Sequence, residues 1–210
     1  MRRKKIIKLV IAIAIIIVAI VVICKIVGNK DKNIQRLANL YNQLNSSQTY
    51  LFEMEQDEDN KTIMAQKGDK TIIDNYSDNS HTTTIVKDDN TYLVLHDREE
   101  YYVYEQNNVE RAILTDGLKE ITDKEFVTGT ENVKGEKYVY EEYQGSTMFM
   151  NESSLDVNEE DIKTRFYFDN DDNLVYIRTI KGLNQELLKV NIQMEVDDSI
   201  FEIPSSYAEN

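Results

Sequence analysis

The longest hydrophobic stretch of the chain is an uninterrupted apolar run over residues 9–24, LVIAIAIIIVAIVVIC. Flanking apolar positions extend it to residues 6–27, with Lys8 and Lys25 near its two ends. A helix of this length, rising about 1.5 Å per residue, would cross the roughly 30 Å hydrocarbon core of a bilayer. The pattern therefore predicts a transmembrane anchor over residues 6–27. The membrane-embedded positions include Leu9, Val10, Ile16, Ile17, Val21 and Cys24.

Charge on the two sides of this run predicts its orientation. Residues 1–5, MRRKK, form a dense basic tail, and such clusters stay on the cytoplasmic side of a membrane. Residues 28–32, GNKDK, form a short polar spacer. We therefore expect a single-pass cell membrane protein with a cytoplasmic N-terminus and an extracytoplasmic domain over residues 33–210.

Two other interpretations of the apolar run stay open. A cleaved signal peptide has a shorter apolar region that ends in small residues, whereas residues 21–27 are bulky throughout. A lipoprotein signal would place a lipid on Cys24, but it needs a small residue before the cysteine, where this chain has Ile23. Both observations favour an uncleaved anchor.

After the spacer, the spacing of apolar residues is first helical and then alternating. Helical spacing predicts an amphipathic helix over residues 33–44, and a second, ambiguous stripe covers residues 109–121. Alternation from Thr49 onward predicts strands, and residues 151–161 are polar enough for an exposed loop. The further strands are expected over residues 61–66, 71–76, 81–87, 91–96, 101–105, 126–132, 137–143, 162–168, 174–180 and 186–196.

These segments predict an α+β domain that is mainly β. About ten antiparallel strands with short turns would form one sheet, packed on one or two helices. Alternation places Phe52 and Met54 on a buried face of the first strand, and Ile63 and Ala65 on the inward face of the return strand. The hairpin around residues 162–180 should bury Phe166, Phe168 and either Leu174 or Val175.

Net charge excludes one class of partner. Residues 1–32 have a net charge of +7, whereas residues 33–210 hold 16 Lys and Arg against 37 Asp and Glu, a net charge of −21. A domain this acidic is repelled by phosphate backbones, which excludes nucleic acid as a partner. A solvated surface that keeps the domain soluble is the plainest explanation, and affinity for a divalent cation or a basic protein is the sharper one.

Histidine and cysteine usage limits the kinds of metal site. The single cysteine lies in the predicted anchor, and His81 and His96 are the only histidines. This excludes a structural zinc site built from Cys and His, and predicts no metal. A site of two histidines with carboxylates stays open beside the plainer interpretation, in which both rings contact hydroxyl groups or solvent. Residues 169–173, DNDDN, resemble the start of a calcium loop but lack its glycine and glutamate, which favours a turn.

No motif of an enzyme is present. The chain contains neither a G-x-S-x-G elbow nor a glycine-rich phosphate loop, and carboxylate pairs are uninformative in so acidic a domain. We therefore predict no catalytic residues and no cofactor. Aromatic residues on the strands are mostly expected in the core, but part of a curved sheet can line a groove for an apolar ligand or a partner segment. The candidate positions are Tyr92, Tyr102, Tyr104, Tyr138, Tyr140, Phe166 and Phe168.

The order of these segments resembles the LolA/LppX half-barrel superfamily. The similarity rests on the helix over residues 33–44, on YLFEMEQ at 50–56 with KGDK at 67–70, and on DDNTYLVLHDREEYYVY at 88–104. The closing DDSIFEIPSSY at 197–207 is similar to the family's F-x-I-P-x-x-Y. This resemblance implies a curved, unclosed half-barrel. Within the superfamily, composition and the anchored start resemble the germination-lipoprotein GerS type of spore-forming bacteria.

The GerS resemblance implies a non-enzymatic scaffold that assists an enzyme modifying cortex peptidoglycan during sporulation or germination. We expect its partners to be the bilayer, through the N-terminal helix, and a protein with a basic face. The alternative, implied by the wider superfamily, is a carrier or sensor of lipid or another apolar ligand. Because the strands hold many aromatics and few glycines, we expect a mostly filled interior, which favours the scaffold.

Overall fold

The computed structural model describes residues 35–105, 114–145 and 162–210. The predicted basic tail, anchor and spacer, and the loop predicted at 151–161, lie outside the described residues. Within the described ranges, no helix is both long and apolar enough to cross a membrane. The described residues from Arg36 onward belong to one unit, which we call the folded domain.

The folded domain is α+β and mainly β, as the alternation of apolar residues predicted, and its sheet is curved and unclosed, as the half-barrel resemblance implied. Its helices are α1 (Arg36–Ser47) and α2 (Leu114–Thr122), and short 3-10 helices cover His96–Arg98 and Asp198–Phe201. The strands are β1 (Thr49–Glu55), β2 (Lys61–Lys67), β3 (Lys70–Ser77), β4 (Ser80–Lys87), β5 (Asn90–Leu95), β6 (Glu100–Glu105), β7 (Phe126–Val133), β8 (Glu136–Gln144), β9 (Ile162–Phe168), β10 (Leu174–Lys181), β11 (Asn184–Gln193) and β12 (Ala208–Glu209).

All described strands form a single sheet with the order β12-β6-β5-β4-β3-β2-β1-β11-β10-β9-β8-β7. Neighbouring strands are antiparallel except β12, which pairs parallel to β6. Pairing of β1 with both β2 and β11 joins the first and last long strands in the middle of the sheet. The sheet therefore ends at β12 on one side and at β7 on the other, so it does not close.

Helix α1 ends three residues later than the apolar spacing predicted. The backbone N–H of Gln48 donates to the Leu44 carbonyl at 3.0 Å, and Gln48 has a φ of 49°. A left-handed residue of this kind turns the chain out of a helix and satisfies one of its last carbonyls. The helix therefore includes the Asn45-Ser46-Ser47 segment, and β1 follows immediately.

One face of the sheet, here called the helix face, packs against α1 and α2. Leu37 and Leu44 of α1 and Leu118 of α2 are fully buried against it. The predicted burial of Phe166, Phe168 and Leu174 is confirmed, because all three belong to this core. The other strand residues of the core are Tyr50, Phe52, Met54, Tyr143, Ile177 and Val190.

The opposite face of the sheet has its own cover, formed by the C-terminal strap, residues 196–209. Val196 and Phe201 of the strap pack against a second core on strands β2 to β5. Ion pairs fasten the strap, with Lys67 Nζ at 2.6 Å from Asp198 and Lys87 Nζ at 2.9 Å from Glu202. We call this side of the sheet the strap face. The strand residues of the second core are Ala65, Ile72, Ile85 and Val94.

The strap explains an error in the predicted inward face of β2. Register pairs Phe52 with Met64, so Met64 lies on the helix face and its neighbours Ile63 and Ala65 lie on the strap face. Alternation along one strand cannot distinguish the two faces when both are covered. The prediction that Ile63 and Ala65 share an interior with Phe52 was therefore wrong, although Ala65 is buried.

A buried carboxylate begins helix α1. Glu141 of β8 accepts the backbone N–H of Arg36 on Oε1 at 2.5 Å and that of Leu37 on Oε2 at 3.1 Å. Its Oε2 also accepts the Tyr143 hydroxyl at 2.9 Å. Burial raises the pKa of the Glu141 carboxyl, and the two backbone N–H groups act in the opposite direction. The first N–H groups of a helix have no partner inside it, so Glu141 supplies the cap from 104 positions further along the chain.

Replacing this cap should destabilise the whole domain. Glu141→Ala removes the acceptor of two helix N–H groups and one partner of Tyr143, all in or near the core. We expect the free energy of unfolding to fall by about 2–4 kcal/mol, measured by denaturant titration with circular dichroism. Glu136→Ala, an exposed change on the same strand, should alter it by less than about 0.5 kcal/mol. Equal stability of the two variants would contradict the capping role.

Candidate functional site

Three side chains that could hold a metal ion converge on the strap face. They are Asp74 of β3, His81 of β4 and His96, which opens the 3-10 helix after β5. The register of the strands brings them together. Tyr76 of β3 pairs with His81 of β4. Thr82 of β4 pairs with Leu95 of β5, so the next residue along, His96, lies opposite His81. With the adjacent Thr83 they form what we call the His–Asp cluster. All four side chains are buried or half-buried.

The two histidine rings of the cluster are stacked. Their centroids lie 3.6 Å apart with an angle of 6° between the planes. Tyr76 stacks on His81 at 4.0 Å, and Tyr207 of the strap meets His96 edge-on at 5.5 Å. Three strands and the strap thus fix the position of the rings.

A chain of hydrogen bonds runs through the cluster. The contacts are Tyr207 Oη to His96 Nδ1 at 3.0 Å, His96 Nε2 to Thr83 Oγ1 at 2.7 Å, and Thr83 Oγ1 to Asp74 Oδ1 at 2.5 Å. His81 Nε2 lies 2.8 Å from the same Asp74 oxygen. One assignment satisfies every contact: Tyr207 donates to Nδ1, and Nε2–H of a neutral His96 donates to Thr83, which donates to Asp74.

The environment of His96 supports this neutral form. Burial lowers the pKa of His96, and the adjacent His81 ring lowers it further, whereas Asp74 acts in the opposite direction. The net shift is downward, so the imidazole carries one proton at neutral pH.

A cavity of about 320 Å³ adjoins the cluster, between the strap and the sheet. Asp74, His81 and His96 form its polar end. The remaining lining is mostly apolar, with Glu202 as the further charged side chain on the strap side. The cavity is large enough for water or a small ligand beside the histidines. Its other lining residues are Leu51, Ile63, Ile72, Tyr76, Thr83, Ile85, Val94, Ile200 and Pro204.

Exposed carboxylates surround the same end of the sheet. Three connections lie side by side there: the β1–β2 turn, the β3–β4 turn and the 3-10 helix after β5. The Asn60 side chain donates to Asp78 at 3.3 Å and joins the two turns. The His81 backbone N–H donates to Asp97 at 3.3 Å and joins the start of β4 to the 3-10 helix. We call this set of carboxylates the acidic rim. Its members are Asp57, Glu58, Asp59, Asp78, Asp97 and Glu99, all exposed. The side chain of Asn60 lowers the pKa of Asp57, which is therefore ionised at neutral pH.

A second cavity, of about 470 Å³, lies beside α1 on the helix face. Leu40 and Gln43 of α1 and Met194 border it, and the ion pair of Arg36 with Asp172 at 2.5 Å lies at its rim. Charged, amide and apolar groups alternate around it. The cavity is therefore a mixed groove rather than a uniformly apolar one.

The seven aromatic residues proposed for a groove do not line one surface. Phe166 and Phe168 lie in the core of the helix face, with exposures of 0% and 1%. Register places Tyr102 and Tyr104 of β6 on the same face but at the far side of the sheet, and Tyr104 is 49% exposed. Tyr92 lies on the strap face, 6.4 Å from the Tyr101 ring.

Tyr138 and Tyr140 lie together on the strap face of β8, in a network of paired charges. The Arg165 guanidinium lies over the Tyr140 ring at 4.6 Å and donates to Glu131 and Glu142. Tyr140 also covers Gly129, where any Cβ would come within 2.4 Å of its hydroxyl oxygen. These contacts make Tyr140 part of a closed polar layer rather than the wall of an open groove.

The turn expected at residues 169–173 is present. Asp169 Oδ1 accepts the backbone N–H groups of Asp171 and Asn173, both at 2.9 Å, so the turn itself uses this carboxylate.

The sequence alone left the His–Asp cluster as an open alternative. A signal for it existed, because a two-residue turn at Asp88–Asp89 aligns His81 with His96 across the β4–β5 hairpin.

Comparison with known proteins adds little to this site. No protein-family model and no curated protein matches the chain. Among solved structures, the chain is similar to an uncharacterized conserved protein from Thermus thermophilus, with 6% identity, a TM-score of 0.44, and coverage of 84% of this chain and 100% of that one. A likeness at this level supports no argument about function.

The bond from Tyr207 to His96 should help to hold the strap on the sheet. Tyr207→Phe removes about 1 kcal/mol of hydrogen bonding while keeping the ring. The amide protons of Ala208 and Asn210, which bond to the Glu99 and Tyr101 carbonyls, should then exchange roughly fivefold faster. Hydrogen exchange by NMR on the full chain in detergent measures this. Tyr104→Phe is the control, and equal exchange in both variants would show that the bond does not hold the strap.

Proposed function

We propose that the chain is a non-enzymatic scaffold, anchored in the cell membrane by residues 6–27, whose extracytoplasmic domain binds a partner protein with a basic face. The acidic rim is the observation that carries this proposal. Three adjacent connections of the sheet present six exposed carboxylates at one end, with Lys61 and Arg98 as the nearby bases. Such a concentration of one charge favours encounter with a basic surface and disfavours an anionic bilayer.

The narrower form of the proposal is a LolA/LppX-type half-barrel of the GerS kind, which would assist an enzyme that modifies cortex peptidoglycan. The curved, unclosed sheet with helices on one face supports the half-barrel. The GerS assignment rests on the sequence resemblance. It implies a partner enzyme outside the membrane, which agrees with a binding surface on the folded domain.

Filling of the helix face supports a scaffold rather than a carrier. Phe52, Phe166 and Leu118 are fully buried between sheet and helices, where a carrier of lipid needs an open apolar cavity. The alternative function has one observation in its favour, the cavity of about 470 Å³ beside α1. Its Arg36–Asp172 pair and its amide side chains make it a poor match for an acyl chain.

A non-enzymatic role also agrees with the chemistry of the His–Asp cluster. Thr83 and His96 have the spacing of a nucleophile and its base. However, the Thr83 side chain is held between His96 and Asp74, and the residue is only 4% exposed. A hydroxyl engaged by hydrogen bonds on both sides is poorly placed to attack a substrate carbonyl. The cluster is therefore better suited to binding than to acyl transfer.

The anchor should remain on the mature protein. Because Ile23 precedes Cys24 and no small-residue cleavage site follows, neither signal peptidase should cleave, and the mature protein should retain residues 1–24. Intact-mass analysis of the protein from its native membrane should therefore give the full chain. A mature N-terminus at Cys24 carrying acyl chains would replace the transmembrane anchor with a lipid anchor.

The acidic rim should contact the partner directly. A photo-crosslinking residue placed at Asp57 or Glu99 should capture one and the same protein in native membranes, and the yield should fall as salt rises. The charge reversal Glu58→Lys with Asp59→Lys should abolish the capture. The matched control, Asp69→Lys with Asp88→Lys, makes the same charge change at the opposite end of the sheet and should retain it.

Two outcomes would overturn the scaffold. One is equal loss of capture in the rim and control variants, which would mean that the rim has no special role. The other is stoichiometric lipid in the native mass spectrum of the detergent-purified chain, because this would favour the carrier. Thermal melts of both double variants establish that the domain stays folded.

A further inference from the structure

We propose that Asp74, His81 and His96 form a binding site for a divalent transition-metal ion of the zinc class. The site lies on the strap face, at the polar end of the 320 Å³ cavity. The inference is independent of the scaffold function, because the proposed ligands are the donor atoms of the His–Asp cluster and the acidic rim only adds to the negative charge around them.

The donor set defines the class of ion. One ligand atom from each of the three residues lies within 4.8 Å of the other two, so modest side-chain rotation brings all three to one ion. Two imidazole nitrogens with one carboxylate oxygen suit Zn²⁺ and its neighbours, whereas Ca²⁺ and Mg²⁺ prefer all-oxygen sites. Three protein ligands leave a coordination position open, and it would face the cavity.

Binding requires a defined rearrangement of the rings. In the stack, the two imidazole planes differ by only 6°, so their in-plane nitrogen lone pairs run side by side and do not converge. One ring must tilt out of the stack for both Nε2 atoms to point to the same ion. The adjoining cavity gives the His81 and His96 rings, which form part of its wall, space for that movement.

His96 also needs a change of tautomer, for which the structure supplies the partner. Metal binding at Nε2 moves the proton to Nδ1, which faces the Tyr207 hydroxyl at 3.0 Å. A hydroxyl both donates and accepts, so Tyr207 can accept from Nδ1–H as readily as it donates to the unprotonated nitrogen. An oxygen on the second nitrogen is the usual outer partner of a metal-bound histidine. His96 Nε2 then binds the metal in place of Thr83, which loses that hydrogen bond and keeps its bond to Asp74.

The surrounding charge favours a cation. Asp97, which accepts the His81 backbone N–H, and the rest of the acidic rim lie at the same end of the sheet. The nearest base among the described contacts is Lys61, which lies 4.8 Å from the Tyr76 ring centroid and pairs with Glu53 at 3.6 Å.

The test is Zn²⁺ affinity of the full chain in detergent, purified without a polyhistidine tag and measured by competition with a chromophoric chelator. The wild type should bind one ion per chain through the cluster. His81→Gln, His96→Gln and Asp74→Asn should each weaken this binding by roughly tenfold or more. Glu58→Gln with Asp59→Asn, which removes two rim charges but no ligand, should change the affinity by no more than about twofold.

A second measurement tests the site in the wild type, so it stays valid even where a ligand variant fails to fold. Because His81 and His96 are the only histidines, ¹⁵N NMR of the wild type resolves both rings without ambiguity. Addition of one equivalent of Zn²⁺ should shift the Nε2 resonance of both rings, and His96 should gain a proton on Nδ1. Zn²⁺ that leaves both rings unshifted, or affinity that survives His81→Gln and falls with the rim variant, would overturn the site and show carboxylate binding only.

Discussion

Contact between the Glu141 carboxylate and the start of helix α1 ties the two layers of the domain together. The first N–H groups of a helix need acceptors from outside it, and Glu141 of β8 supplies the bonds for Arg36 and Leu37. The helix axis is thereby fixed over the sheet, and Leu37 and Leu44 reach the core between them. Burying a carboxylate is unfavourable unless its oxygens are satisfied, so this contact holds only if helix and strand are both in place.

The rest of the architecture follows from having two covered faces on one sheet. The helices cover the helix face over strands β1 and β8 to β11. The C-terminal strap covers the strap face over strands β2 to β5. The strap then adds β12 beside β6 and protects that edge, whereas no described strand pairs with the outer side of β7. A small cavity remains where the strap crosses the hairpin ends, and the two histidines of the chain meet Asp74 there.

Local patterns predicted the elements well but not their assembly. Alternation in TYLFEME gave a strand with Phe52 and Met54 inward, and the structure has that strand with that burial. The alternation could not show that Ile63 of β2 lies on the strap face, because the register of β1 with β2 depends on the whole turn between them. The His–Asp cluster was left open for a related reason. The turn between β4 and β5 aligns His81 with His96, but Asp74 joins them only through the register of β3 with β4, which the alternation does not determine.

Rim and cluster are close enough to influence each other. Asp97 belongs to the acidic rim and also accepts the His81 backbone N–H, so a divalent ion bound by His81 would lie near the surface proposed for the partner. Charges influence each other over a screening length of about 8 Å at physiological salt. An ion with two positive charges reduces the negative potential at Asp97 and thereby weakens attraction for a basic surface. Metal binding and partner binding at this end of the sheet should therefore oppose each other, with an antagonism that fades as salt rises.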